Sequence, residues 1–273
     1  MIEARNSLVG LSTISSRRTL TGMSTRPSTH PLPAAVPPLL QTGIGVVAPY
    51  DFALDRELWR WVPDDVTLHV TRTPYAPMAA TVEMAVHVSD PELIARTTYD
   101  VLPVGPLVVA YACTFGSFVG GLTGELALVD AMVGAGAPAA VTTSGALLLA
   151  LRRLRVNRIA TVTPYTNDLT AGLSAFLAQA GVEVVATAGL GLIAQIWAVP
   201  YETTVELVRS VDSDAVEAIF ISCTNLPTYD VIAGLEATLG KPVLTANQVT
   251  MWSALELAGH EGVGPGQRLL TIR

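Results

Sequence analysis

Leu107-Val108-Val109-Ala110-Tyr111-Ala112-Cys113-Thr114 has a counterpart later in the chain, Ala218-Ile219-Phe220-Ile221-Ser222-Cys223-Thr224. Each is a continuous apolar run of strand length that closes on Cys-Thr. Two further pairs flank this one in the same order. Gly45-Val46-Val47-Ala48-Pro49-Tyr50 returns as Ala160-Thr161-Val162-Thr163-Pro164-Tyr165. Gly136-Ala137-Pro138, leading into Thr142-Thr143-Ser144, returns as Gly240-Lys241-Pro242, leading into Thr245-Ala246-Asn247. The spacing drifts slowly, from 115 residues between Tyr50 and Tyr165, through 110 between Cys113 and Cys223, to 104 between Pro138 and Pro242. Ordered echoes with a slow drift are what a duplicated domain with small deletions leaves behind.

Between these runs the periodicity turns helical. Segments 129–133, 145–154, 169–180, 203–211, 229–239 and 251–257 read as amphipathic or buried helices. The strands are unbroken Val/Ile/Ala runs and not alternating ones, the mark of parallel sheet covered on both faces. Alternating elements of this kind predict an α/β fold of two pseudo-symmetric, doubly wound parallel-sheet lobes with the active site in the cleft between them. The expected first lobe is 43–144, completed by a C-terminal helix within 247–273, and the second is 145–246. Residues 1–42, rich in Ser, Thr, Pro and Arg without periodicity, read as a disordered tail. Arg17-Arg18 in that tail is followed by no apolar stretch of the kind an export signal needs.

Composition narrows the chemistry. The chain of 273 residues is 50% hydrophobic and 14% charged, with a net charge of −7. An acidic chain lacks the clustered Lys and Arg that phosphate backbones require, so no nucleic-acid partner is expected. Lys241 is the sole lysine, which leaves little room for Schiff-base chemistry. The apolar runs are too short and too broken to span a bilayer, so no membrane partner is expected either. His30, His69, His87 and His260 are scattered without ligand spacing, and no metal site is read.

In open parallel sheets the ligand crevice lies beyond the carboxyl ends of the strands. Every repeated motif ends at such a position: Pro49-Tyr50, Cys113-Thr114, Thr142-Thr143-Ser144, Pro164-Tyr165, Cys223-Thr224-Asn225 and Thr245-Ala246-Asn247. Two facing lobes would line one cleft with hydroxyls, two tyrosines and two thiols, a setting that suits a small carboxylate. A free cysteine is most often just a small buried hydrophobe. Matched positions in both halves favour a catalytic pair, and a thiol at a helix N-terminus is expected to have a lowered pKa. With nothing pointing to an oxidising compartment, reduced thiols and a cytoplasmic location are expected. Gly189-Leu190-Gly191-Leu192-Ile193-Ala194 matches a dinucleotide fingerprint, but it lies late in its lobe and Pro200 cuts short any helix after it. Trp59 and Trp61 read as helix-face packing.

Residues 111–117 (Tyr-Ala-Cys-Thr-Phe-Gly-Ser), 142–146 (Thr-Thr-Ser-Gly-Ala), 162–165 (Val-Thr-Pro-Tyr) and 221–226 (Ile-Ser-Cys-Thr-Asn-Leu) resemble the aspartate/glutamate racemase superfamily. The similarity is to its branch of maleate cis-trans isomerases and arylmalonate decarboxylases. That resemblance implies an enzyme without metal or organic cofactor, working as a cis-trans isomerase of a maleate-like dicarboxylate, maleate to fumarate. It implies Cys113 as nucleophile and Cys223 as acid/base. Tyr50, Thr114, Ser117, Thr143, Ser144, Tyr165, Thr224 and Asn225 are the implied substrate-binding residues. It also implies a homo-oligomer. A two-base racemase of an amino acid or hydantoin is the alternative reading, and an arylmalonate-type decarboxylase a third. The chain departs from the isomerase pattern at Tyr50-Asp51-Phe52 and at Leu192-Ile193-Ala194-Gln195, where asparagines are expected. Asp51 near a dianion is repulsive unless it points away or is protonated.

Overall fold

A computed structural model describes residues 40–272. The tail expected over 1–42 falls, but for its last three residues, outside the described residues; Gln41 leads straight into the first strand, which already includes Thr42. Four parallel strands, β1 (Thr42–Ala48), β2 (Val66–Arg72), β3 (Val108–Tyr111) and β4 (Ala140–Thr142), form a sheet in the order β2-β1-β3-β4. Four more, β5 (Arg158–Thr163), β6 (Glu183–Gly189), β7 (Ala218–Ile221) and β8 (Val243–Thr245), form a second parallel sheet in the order β6-β5-β7-β8. The two orders are the same with every label advanced by four, so the duplication read from the motifs is present in the topology.

The match extends to single hydrogen bonds. In the first sheet the Ala112 N–H donates to Val47 O at 2.8 Å, and in the second the Ser222 N–H donates to Val162 O at 2.8 Å. Each bond fixes the residue just before a cysteine. The central strands β3 and β7 are buried along their whole length, as Val/Ile/Ala runs must be when helices cover both faces. Edge strands β2 and β6 are only partly buried, which their Thr, His and Glu residues tolerate.

The helices are α1 (Asp55–Leu58), α2 (Val82–Val88), α3 (Pro91–Thr98), α4 (Thr114–Phe118) and α5 (Gly121–Gly134) in the first half. They continue as α6 (Thr143–Leu154), α7 (Asn167–Gln179), α8 (Tyr201–Val211), α9 (Tyr229–Leu239) and α10 (Ala246–Leu257). Segment 129–133 is the end of the longer α5, whose first turn is obscured in sequence by Gly121 at φ +65° and Gly124. Asp90 opens α3 by accepting from the Glu92 N–H at 2.9 Å, with Pro91 in the first turn, a pairing that suits a helix start. Matching threonines cap α6 and α10: Thr142 Oγ1 accepts from Gly145 N–H and Thr245 Oγ1 from Gln248 N–H. Helix α10 is buried at every position from Ala246 to Leu255 and packs on α6, β3 and β4 as well as on β8. A helix buried on all sides must pair its polar residues, and here Asn247 Nδ2 donates to Glu57 and Thr224 O while Thr250 Oγ1 donates to Ala246 O.

Buried polar links join the halves. Glu57, on α1, accepts from the Thr228 N–H (3.0 Å), the Thr228 hydroxyl (3.0 Å) and Asn247 Nδ2 (3.1 Å). Burial pushes its carboxyl pKa up, and the Asn247 and Thr228 donors pull it back. The bidentate Arg60–Asp230 pair is half exposed and contributes little by comparison. Replacing Glu57 by alanine strands three buried donors, so Glu57→Ala is expected to lower stability by about 2–4 kcal/mol in urea unfolding. Glu57→Gln is expected to lose less, and equal losses for the two variants would show that the donors are not what Glu57 holds.

Candidate active site

The carboxyl ends of β3 and β7 deliver Cys113 and Cys223 to one enclosed space. Cys113 caps the five-residue helix α4, where its backbone is extended. Cys223 sits in a turn with φ +87°, a left-handed conformation that costs a residue with a Cβ about 1–3 kcal/mol. Strain of that kind persists only where the surroundings over-determine it. Here the Asn225 N–H donates to Cys223 Sγ at 3.3 Å and the Leu226 N–H to Cys223 O at 3.2 Å. Gly116 closes in on the other thiol. A Cβ there would collide with the Tyr111 hydroxyl and lie 3.1 Å from Cys113 Sγ.

Of the residues singled out in sequence, Cys113, Thr114, Tyr165, Cys223, Thr224 and Asn225 line a single small cavity. Pro49, Asp51, Phe115 and Ile196 complete it. Tyr50 is turned away: its N–H donates to Thr73 Oγ1 and its hydroxyl to Met78 O, tying down the segment before α2. Ser117, Thr143 and Ser144 lie behind the wall. Ser117 Oγ donates to Cys113 O or Thr114 O and pairs with Ser144 Oγ at 2.7 Å. Thr143 Oγ1 meets Tyr111 O at 3.2 Å and Thr250 Oγ1 at 2.8 Å. These three hydroxyls are held by protein partners that support the Cys113 loop and α10.

Thr224 and Asn225 reach across the cleft. Thr224 Oγ1 donates to Ala112 O at 3.2 Å, directly before Cys113. Asn225 Oδ1 accepts from the Ala53 N–H at 2.8 Å, and its Nδ2 donates to Asp51 O at 2.9 Å. Phe115 and Phe118 of one half pack edge-on against the Tyr165 ring of the other, with centroids 5.8 and 6.3 Å apart. The cavity left inside is about 10 Å³, room for one water, and a backbone bond from Ala80 N–H to Ile193 O (2.8 Å) joins two segments that wall a neighbouring space. A four-carbon acid needs more room than this cavity alone holds.

The electrostatics overturn one expectation. Both thiols were expected to be acidified by a helix N-terminus, yet both are pushed up, to about 12. Burial is the cause, with Cys113 1% and Cys223 5% exposed, and Asp51 adds to it. A five-residue helix offers Cys113 little, and Cys223 precedes a turn and no helix at all. Donors recover part of the penalty, the Gly116 N–H at Cys113 and the Asn225 N–H and Tyr165 hydroxyl at Cys223. The Tyr111 hydroxyl also meets Cys113. Its own proton goes to Val88 O at 2.6 Å, so the thiol is the donor in that contact.

Asp51 is the residue that sequence reading had not counted as part of the site. It follows Pro49-Tyr50 at the end of β1, so the strand-end rule reaches it, but as a carboxylate it fits no anion-binding role. No cluster of His, Cys, Asp or Glu able to hold a metal ion occurs among the described residues, and none of their helices is long and apolar enough to cross a membrane. The dinucleotide-like segment runs into a loop with Gly191 at φ +67° and Gln195 at φ +53°, without the helix a pyrophosphate would need.

Two outcomes are expected. Below about pH 9 both thiols stay protonated, so alkylation by iodoacetamide should be slow at neutral pH and rise about tenfold per pH unit up to pH ~10. A rate that levels off below pH ~9, followed by mass spectrometry, would show an acidified thiol instead. The same linkage lowers folding stability from about pH 9 upward, where the unfolded chain releases protons that the folded one keeps. Separately, Cys223→Gly should be more stable than Cys223→Ala by roughly 1 kcal/mol in thermal unfolding, because only alanine keeps a Cβ at φ +87°.

This geometry has known counterparts. The maleate isomerase of Nocardia farcinica is 30% identical over 187 residues, covering 63% of this chain and 74% of that protein. The arylmalonate decarboxylase of Bordetella bronchiseptica is 36% identical over 162 residues, covering 57% of this chain and 66% of the other. Among solved structures, a glycine-to-cysteine, cysteine-to-serine mutant of arylmalonate decarboxylase in liganded form superimposes with a TM-score of 0.77 at 28% identity. It covers 84% of this chain and 99% of its own. The Nocardia farcinica maleate cis-trans isomerase, as a cysteine-to-serine mutant with a covalently bound succinylcysteine intermediate, gives a TM-score of 0.74 at 25% identity over 84% and 98% of the two chains. The sequence profile described as arylmalonate decarboxylase matches residues 89–270, two-thirds of the chain, and the protein therefore belongs to the arylmalonate decarboxylase family, whose members include enzymes of both kinds.

Proposed function

We propose that this protein is a cofactor-independent cis-trans isomerase of short maleate-like cis-enoic acids, with Cys113 as nucleophile and Cys223 as acid/base. The observation that carries the reading is the pair of thiols from opposite lobes lining one water-poor cavity. A decarboxylation that generates a single carbanion needs one proton donor. An addition followed by elimination needs a nucleophile and a proton carrier.

Each step balances with the two sulfurs alone. One of the two thiol protons leaves to solvent, giving the Cys113 thiolate. Its sulfur adds to one alkene carbon, and the π pair moves to the neighbouring carbon, where the Cys223 S–H delivers its proton. The product is a thioether on Cys113 and a thiolate on Cys223. The former double bond is now single and rotates. Cys223 then withdraws the proton, the pair re-forms the double bond, and the C–S bond breaks to return the Cys113 thiolate and the trans acid. The Tyr165 hydroxyl and the Asn225 N–H hold the charge on Cys223 at mid-reaction. Thr114, whose Oγ1 is buried without a partner, binds the carboxylate. A covalently bound succinylcysteine in the related Nocardia enzyme is the kind of intermediate this sequence of steps passes through.

A second reading has its own support. Each sulfur has its own donor set on its own lobe, which also suits a two-base racemase that removes a proton from one face of a carbon and returns one to the other. Proton NMR in D2O separates the readings, using maleate, aspartate, a hydantoin and an arylmalonate with the wild type, Cys113→Ala and Cys223→Ala. Conversion of maleate to fumarate, reduced roughly 10²–10⁴-fold in each variant, is the expected result. Deuterium entering an α-carbon without net conversion would replace it with the racemase. Loss of CO2 that survives Cys113→Ala would replace it with the decarboxylase.

A further inference from the structure

The cavity between the thiols is chemically lopsided. At one end the Thr114 hydroxyl is buried without a partner and can donate. At the other, Asp51 Oδ1 is also buried without a partner. The orientation of the groups around Asp51 is determined by a neighbour. Because Asn225 Oδ1 already accepts from the Ala53 N–H (2.8 Å), its amide nitrogen is turned toward Asp51, reaching the carbonyl oxygen at 2.9 Å and Oδ2 at 3.5 Å. An amide nitrogen only donates, so Asp51 accepts at its carbonyl oxygen and at Oδ2, and Oδ1 is the acceptor left without a donor. A second cavity of about 180 Å³ opens beside Asp51, walled by Met78, Ala80, Ile193, Ile196 and Trp197. No Lys, Arg or His lines either space. A ligand carboxylate would offer Oδ1 no donor, and with Asp51 ionised it would meet a like charge with no cation to offset it. A hydrogen-bond donor there would satisfy the orphaned oxygen.

We infer that Asp51 is a specificity residue that selects short cis-enoic acids whose far end carries a hydrogen-bond donor, a carboxamide being the simplest, over those ending in a second carboxylate. The carboxylate end meets Thr114 and the donor end meets Asp51, which sets the orientation of the double bond between the two sulfurs. The inference names the substrate class for the isomerase reading and rests on it, but its test does not require turnover.

Titration calorimetry at neutral pH would compare two saturated, unreactive probes, succinamate and succinate, on the wild type and Asp51→Asn. Proton NMR would follow maleamate and maleate on the same two proteins. The wild type should bind succinamate at least about tenfold more tightly than succinate, the usual effect of one hydrogen bond to a charged group. Asp51→Asn, nearly isosteric, should abolish or reverse that preference and shift turnover toward maleate. If succinate binds the wild type as tightly as succinamate, Asp51 is protonated and donating, and the inference falls even where maleate is isomerised. Failure of both probes to bind also overturns it. If the binding preference holds while neither enoate is turned over, the isomerase reading fails and the role of Asp51 stands. Should Asp51→Asn not fold, the wild-type preference decides the matter on its own.

Discussion

Two side chains on one turn hold the site together. Thr224 donates to the carbonyl that precedes Cys113, and Asn225 ties its own turn to Asp51 and Ala53 at the end of β1. Both residues directly follow Cys223, so the contacts that join the lobes are also the contacts that place one thiol relative to the other. The turn is forced into a positive φ at Cys223 to make them. Local strain of this size persists because hydrogen bonds on both sides of the turn hold it in place.

Enclosure then decides the acid–base character of the site. Removing water from two thiols, two tyrosines and an aspartate raises all of their pKa values, and the donors aimed at each sulfur only partly compensate. The resting site is therefore neutral at sulfur, with a proton on each thiol. Low dielectric makes each dipole aimed at a sulfur more effective on any charge that develops there. The small free volume fits this: little water can reach the sulfurs to stabilise a resting thiolate.

The fold was legible in the chain for a local reason. Buried parallel strands are unbroken apolar runs, and their ends carry the chemistry whatever surrounds them, so the two Cys-Thr pairs and the order of the strands could be read directly. Hydroxyls proved less legible. Thr114 and Ser117 are three residues apart on one short helix, yet one faces the cavity and the other faces Ser144. Thr143 is held by Thr250, more than a hundred residues away. Nothing in the local pattern tells a hydroxyl that binds substrate from one that braces a loop, because both follow apolar strands. The same limit applied to the thiols: helix position argued for acidity, and burial by side chains from the other lobe argued more strongly against it.

The residue pattern along the chain was enough to establish a duplicated α/β architecture, the paired cysteines and the family they belong to, because these depend on period, spacing and motif within each half. The protonation of the thiols and the placement of Asp51 at the cavity depend on contacts between halves, whereas the bracing of Ser117 by Ser144 and of Thr143 by Thr250 depends on which helices pack together. Such contacts bury groups far apart in the sequence beside one another, where the energy of a charge or a hydroxyl is set by its spatial neighbours and not by its place in the sequence.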